Sequence, residues 1–306
     1  MAASPPPDRV ASAPLHGRDD TRLAPFMVTA PRGDPVPVVV ASPHSGRAYP
    51  QAFLTLSRLD LATLRRSEDF HVDDLVARAP DLGASLICAT FPRIYCDPNR
   101  EAWELDPTMF SERLPDGCNT ATARVRAGLG TIPRLSATGV PIYRGRIPFA
   151  EGRERIRTCW VPYHDALSAL IDRVVAVHGA CLLVDCHSMP GQMGRDAPDF
   201  ILGDAWGTSC APAITTAAEA ALRAHGFRTC RNTPYAGGYV TRTYGRPRNG
   251  VHALQIEVSR ALYMDEARLE KGDGFAAIRA VLTSLLHDLA GATKALIRDR
   301  ATALSP

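Results

Sequence analysis

Val36-Pro37-Val38-Val39-Val40-Ala41-Ser42-Pro43-His44-Ser45-Gly46 reads as a short β-branched strand that runs straight into a tight loop carrying a histidine. Two later stretches repeat the pattern. Ser85-Leu86-Ile87-Cys88-Ala89-Thr90-Phe91 is followed by a proline, and Ala180-Cys181-Leu182-Leu183-Val184-Asp185-Cys186 by His187-Ser188-Met189-Pro190-Gly191. The apolar residues are continuous rather than alternating, which predicts strands covered on both faces, as in a mostly parallel sheet. Between them Ile156, Trp160, Tyr163, Leu167, Leu170, Val174 and Val177 recur every three or four residues, the stripe of an amphipathic helix ending at Gly179, with Pro162 in its first turn. Similar stripes cover about 208 to 225 and about 265 to 298, and 238–244 and 253–258 have the composition of further strands. The expected fold is therefore a single α/β domain over residues 25–306, a central mixed, mostly parallel sheet flanked by helices. Residues 1–24, rich in Pro, Ala and charge, are expected to form a disordered tail. In such sheets ligands bind beyond the carboxyl ends of the strands, which is where this reading puts His44 and His187.

Composition narrows the function. The 306 residues are 45% hydrophobic and 22% charged, enough for one substantial core, which excludes wholesale disorder. The 35 basic and 32 acidic residues are spread along the chain, so no one-signed patch suits nucleic acid or anionic lipid. Only Lys271 and Lys294 are lysines and neither lies in a motif, which leaves a lysine nucleophile little support. No pair of the eight cysteines has C-x-x-C spacing, the N-terminal stretch lacks an apolar signal core, and no run of eighteen apolar residues occurs. A reduced, cytoplasmic setting without nucleic-acid or membrane partners is the expectation.

Two histidines in matching strand-end contexts suit a metal, because two neutral imidazoles and one carboxylate leave a fourth position for water. Ser67-Glu68-Asp69-Phe70-His71-Val72-Asp73-Asp74 supplies carboxylates, and reads equally well as the start of a helix with Asp69 as its N-cap. Position 47 is Arg and H-E-x-x-H is absent, so ordinary zincin spacings do not apply. Glu257 sits in the apolar run Leu254-Gln255-Ile256-Glu257-Val258, where an unpaired carboxylate is costly. It is either half of a structural ion pair or a general base facing the site. Arginines within 91–100 and at 242 offer forked donors for a carboxylate.

Pro43-His44-Ser45-Gly46, Glu68-Asp69-Phe70-His71, Asp97-Pro98-Asn99-Arg100, Trp160-Val161-Pro162-Tyr163-His164, Asp185-Cys186-His187-Ser188, Gly237-Gly238-Tyr239-Val240-Thr241-Arg242-Thr243-Tyr244-Gly245 and Gln255-Ile256-Glu257 with Tyr263-Met264-Asp265-Glu266 together resemble the N-formylglutamate amidohydrolase (N-formylglutamate deformylase) family. The matches run in order from about residue 36 to 266.

The resemblance implies a zinc-dependent amidohydrolase of histidine degradation, similar in fold to zinc carboxypeptidases and the phosphorylase/hydrolase-like proteins. By it, His44, His187 and Asp69 look like the Zn2+ ligands, Asp69 being preferred to Asp73 by motif position. It further implies zinc-bound water as nucleophile, Glu257 as general base and acid, and Arg93 as a stabiliser of the developing oxyanion. Arg100, Asn99, Arg242 and Gly238 are the expected substrate-binding residues for a small anionic N-acyl amino acid. His71 and His164 read as structural. Carboxypeptidase-like enzymes place a glutamate ligand three residues after the first histidine, and this chain departs from that. Two other readings stay open: a metallo-deacylase or carboxypeptidase-like hydrolase of another N-acyl amino acid, and an inactive binding relative. A serine hydrolase is weakened by the absence of G-x-S-x-G and S-x-x-K.

Overall fold

The computed structural model describes residues 24–191 and 197–303; nearly all of the expected tail, residues 1–23, lies outside them. Seven strands form one mixed sheet: β1 (Phe26–Thr29), β2 (Val38–Ser42), β3 (Ser85–Ala89), β4 (Cys181–Met189), β5 (Phe200–Gly203), β6 (Thr229–Arg231) and β7 (Val251–Ser259). Their spatial order is β1-β3-β2-β4-β7-β5-β6. The β3-β2-β4-β7 centre and the β5-β6 pair are parallel, while β1 on β3 and β5 on β7 are antiparallel. This is the expected single α/β domain with a mostly parallel sheet.

Continuous apolar runs arise because both faces of the central strands are buried. Val38, Val40, Leu182, Val184, Leu254 and Ile256 point into one core layer, with the helices Pro212–Ala224 and Phe275–Ala303. Val39, Ala41, Cys181, Leu183 and Ala253 point into the other, with the helix Val161–His178. The period of two along each strand sends neighbours to opposite layers. Phe275–Ala303 is long and apolar enough to cross a membrane by composition. Its apolar stripe, Ile278, Leu282, Leu285 and Leu289, is instead buried in the core layer it shares with the sheet.

The helix Val161–His178 carries Pro162 in its first turn and stops at Gly179, whose φ of +78° a residue with a Cβ tolerates poorly. Upstream it continues from the helix Phe149–Arg155 through a π turn at Ile156–Trp160, so no N-cap is needed. Two expectations fail. Residues 239–244, rich in β-branched and aromatic side chains, form the helix Tyr239–Tyr244, because Gln255 and Asn99 accept hydrogen bonds from the backbone N–H groups of Gly238 and Val240 at its start. The C-terminal helix begins at Phe275, ten residues later than expected, and a short hairpin of Met264–Asp265 with Glu270–Lys271 occupies the interval.

Gly46, next to His44, lies against the chain that leaves β3: a Cβ built there would fall 2.1 Å from the Phe91 carbonyl oxygen. Backbone cannot yield as a flexible side chain can. G46A should therefore destabilise the fold by about 2 kcal/mol or more, read as a lower urea midpoint at unchanged m-value; an unaltered midpoint would refute the close approach.

Candidate metal centre and active site

The carboxyl ends of β2, β4 and β7 lie side by side. His44 follows β2 by two residues, and His187 stands in β4 directly opposite Glu257 of β7. The sequence places His187 just past its strand, but the ladder with β7 runs on to Met189 and holds it inside. Asp185, His187, Gln255 and Glu257 share one face of the sheet by the two-residue alternation. Asp69 arrives from a loop tied to the first histidine: its N–H donates to the His44 carbonyl at 3.0 Å, and Ser45 Oγ donates to its own carbonyl at 2.9 Å. The helix Val72–Leu75 is preceded by His71 at φ +59°, so Asp69 is not its N-cap.

His44, Asp69 and His187 are all buried and converge. His187 Nδ1 lies 3.1 Å from His44 Nδ1 and 3.0 Å from Asp69 Oδ2, and His44 Nδ1 is 3.3 Å from the same oxygen. Donors placed about 2.0–2.1 Å from a tetrahedral ion stand about 3.3 Å apart, so the spacing fits a metal such as zinc. The donor chemistry agrees. His44 Nε2 donates to Asp97 Oδ1 at 2.8 Å, leaving its Nδ1 as a lone pair. His187 Nε2 sits between Asp185 Oδ2 at 3.1 Å and Asn99 Nδ2 at 3.3 Å. Asp185 is buried with both carboxyl oxygens otherwise unpartnered, and its charge outranks the amide in drawing the proton to Nε2. Two imidazole lone pairs and a carboxylate oxygen then face one point, and only a cation there relieves their repulsion.

The protonation equilibria show the same demand. Burial opposes an imidazolium at His187, yet Asp185, Asp69 and Glu257 outweigh it and push its pKa well up. Burial likewise opposes ionised Asp69 and Asp97, but the histidines at Asp69, and Arg93, Arg100 and His44 at Asp97, hold both well below the usual carboxylate range. Asp69 divides its oxygens: Oδ2 faces the histidines, and Oδ1 accepts from Arg260 at 3.2 Å. Arg93 binds Asp97 at 2.8 Å and stands 3.9 Å from Asp69. Glu257 accepts from Gln255 Nε2 at 2.8 Å, and burial pushes its carboxyl up to about 7 despite His187 nearby.

Known proteins match this arrangement. The family model for N-formylglutamate amidohydrolase covers residues 36–264. The chain belongs to the N-formylglutamate amidohydrolase family. It is 34% identical over 263 residues to an N-formylglutamate deformylase of Pseudomonas aeruginosa, covering 83% of this chain and 92% of that one. An N-formylglutamate deformylase of Pseudomonas putida is 31% identical, covering 76% and 83%. The crystal structure of N-formylglutamate amidohydrolase from Ralstonia eutropha JMP134 superposes with a TM-score of 0.84 at 36% identity, over 89% of this chain and 99% of that one.

In this family member His44, Asp69, His187 and Glu257 line a cavity of about 730 Å³, also lined by Arg93, Asn99, Arg100, Gly238 and Arg242. Asn99 Oδ1 accepts from the Val240 N–H at 2.8 Å, which fastens the 97–100 loop to the helix Tyr239–Tyr244, and its Nδ2 lies 3.3 Å from His187 Nε2. Gly238 exists to admit it, since a Cβ there would lie 2.2 Å from Asn99 Nδ2. Arg242 is exposed and without a protein partner among the described residues. Asp73 pairs with Arg47, away from the cluster. His164 holds the loop from behind, Nε2 donating to the Pro98 carbonyl at 2.8 Å and Nδ1 paired with the Tyr244 hydroxyl at 2.9 Å. His71 contacts Leu269 and Asp74. Sequence reasoning assigned no role to Asp97, Asp185 or Arg260; the signals available were the family motifs that open with Asp97 and Asp185 and the alternation along β4 that puts Asp185 on the face of His187.

Asp97→Asn keeps the size of the residue that orients His44 and removes its charge. Zinc affinity should fall about 10- to 100-fold, measured by competition with a chromophoric chelator, and unchanged affinity would refute the orienting role. His164 supplies a pH test. Burial pushes it down from 6.5 to about 4. Between those values the unfolded chain binds a proton that the folded chain refuses. Stability is thus full above about 6.5 and falls towards pH 4 by about 3 kcal/mol. H164Q should flatten that part of the urea-midpoint profile, and an unchanged profile would contradict the assignment.

Proposed function

We propose that this chain hydrolyses N-formyl-L-glutamate to formate and L-glutamate with zinc as its metal. Membership of the family supports amide hydrolysis, and the relatives named above carry the substrate in their names. The observation that carries the reading is the convergence of His44 Nδ1, His187 Nδ1 and Asp69 Oδ2 beside buried Glu257, in a cavity lined by arginine.

His44, Asp69 and His187 would hold the zinc, which when bound would supply Lewis-acid chemistry, lowering the pKa of a neighbouring water and polarising the formyl carbonyl. Glu257 takes a proton from the attacking water, whose oxygen bonds to the formyl carbon. The carbon–nitrogen bond then breaks, and Glu257 delivers the proton to the departing amine nitrogen. A carboxyl near 7 suits both transfers, since it accepts and releases a proton at similar cost. Arg93 lines the cavity beside the cluster and offers N–H donors to the carbonyl oxygen as negative charge grows there. Arg100 and Arg242 meet the substrate carboxylates and align the scissile amide. Asn99 and Gly238 fix the wall that carries them.

The test is metal content by elemental analysis, with formate release from N-formyl-L-glutamate before and after chelation. One zinc per chain and chelator-sensitive release are expected; release that survives chelation removes the metal, and no release from zinc-loaded protein removes the substrate. Glu257→Gln should keep fold and zinc and lose about 10²- to 10⁴-fold in kcat; normal turnover would remove Glu257 from the reaction.

A further inference from the structure

Six arginines line the cavity, Arg66, Arg93, Arg100, Arg124, Arg242 and Arg260, against the four carboxylates of Asp69, Asp97, Glu257 and Glu266. Their commitments differ. Arg93 is spent on Asp97 and Arg260 on Asp69, both next to the metal ligands. Arg100 is anchored by backbone, Nε donating to the Leu129 carbonyl at 2.9 Å and Nη1 to the Asn99 carbonyl at 2.8 Å, with Nη2 3.8 Å from Asp97. Arg124 is half-buried, and its guanidinium makes no hydrogen bond or ion pair with any described residue.

The single helical turn that carries Arg124, Ala123–Arg126, is fixed: Thr122 Oγ1 accepts from the Val125 N–H at 3.0 Å and itself donates to Glu104. Leu129 links the two arginines, its N–H donating to the Arg124 carbonyl at 2.8 Å and its carbonyl accepting from Arg100 Nε, and both side chains line the same cavity. Burial, with the charges of Arg93 and Arg124, pushes the Arg100 guanidinium down to about 10 in spite of Asp97. Two guanidinium groups placed together with too few acids are unfavourable until an anion enters between them. Successive contacts lead from His44 to Asp97, from Asp97 to Arg100, and from Arg100 through Leu129 to Arg124, away from the metal ligands, so that anion belongs to the end of the substrate remote from the amide.

We infer that Arg124, paired with Arg100, is the specificity determinant that binds the distal, side-chain carboxylate of the N-acyl amino acid. The inference rests on the hydrolase reading above and deepens it. Arg242, on the helix fastened by Asn99, is left for the carboxylate next to the amide nitrogen.

The experiment compares R124Q, R124K and the surface control R113Q on two substrates, N-formyl-L-glutamate and N-formyl-L-norvaline, which lacks the distal carboxylate. In R124Q, kcat/KM for the glutamate substrate should fall about 10- to 100-fold, mainly through KM, while the norvaline rate stays within about threefold. R124K should recover part of the loss, and R113Q should change neither rate. Calorimetric titration with glutarate and valerate reads the same discrimination without turnover, and the glutarate preference of the parent chain should collapse in R124Q. Equal losses on both substrates, or a glutarate preference that survives in R124Q, would overturn the assignment while parent formate release leaves the hydrolase reading standing. A parent chain that releases no formate and binds glutarate no better than valerate would overturn both.

Discussion

Two imidazole nitrogens and a carboxylate oxygen, all from buried residues, lie within 3.0–3.3 Å of one another. Each is fixed as a lone-pair donor by what stands behind it. In a medium of low polarisability such a cluster is repulsive unless a cation occupies its centre. Much of the surrounding structure follows from that requirement. Asp97 keeps the His44 proton on Nε2, Asp185 does the same for His187, and Arg260 holds the far oxygen of Asp69. Of the two carboxylates that hold the histidines, Asp97 is itself offset by Arg93 and Arg100, while Asp185 forms an ion pair only with His187 among the described residues.

The fold supplies the positions. Parallel β4 and β7 run on past the end of β2 to Met189 and Ser259, and their register places His187 opposite Glu257. That pairing sets a buried carboxylate beside a histidine of the candidate site without any loop to hold it, so the distance is as firm as the ladder. The 43–46 and 67–71 loops are tied to each other by main-chain and serine hydrogen bonds, the His44 ring joins them to Asp97 of the 97–100 loop, and Asn99 joins that loop to the helix Tyr239–Tyr244. His164 and Trp160 close this wall from outside, their rings 3.9 Å apart.

The arginines divide into two kinds. Arg93 and Arg260 work on the protein's own carboxylates, while Arg124 and Arg242 have no acid of the described protein to neutralise. An excess of cations in a partly enclosed cavity selects for anions and steers them inward. The Glu257 carboxyl is raised first by its burial, and neighbouring Asp69 and Asp185 add to that resistance to a further negative charge.

By itself the sequence determined the layered α/β domain, because apolar runs such as 38–41, 85–89 and 181–184 have no other way to bury both faces. It also brought out His44, Asp69, His187 and Glu257, through strand-end placement, family motifs and one carboxylate too polar for its strand. It could not determine residues 239–244, whose side chains favour a strand and whose helix depends on acceptors from Asn99 and Gln255. Nor could it settle Asp69 against Asp73: both lie in one charged run, and only the packing of that loop on His44 turns one inward and leaves the other to Arg47. Asp97 stood in a family motif with nothing local to show its role, and Arg260 and Arg124 carried no signal at all, for the same reason. A side chain that acts through a partner tens of residues away has no local signature, and its role exists only once the chain has closed around it.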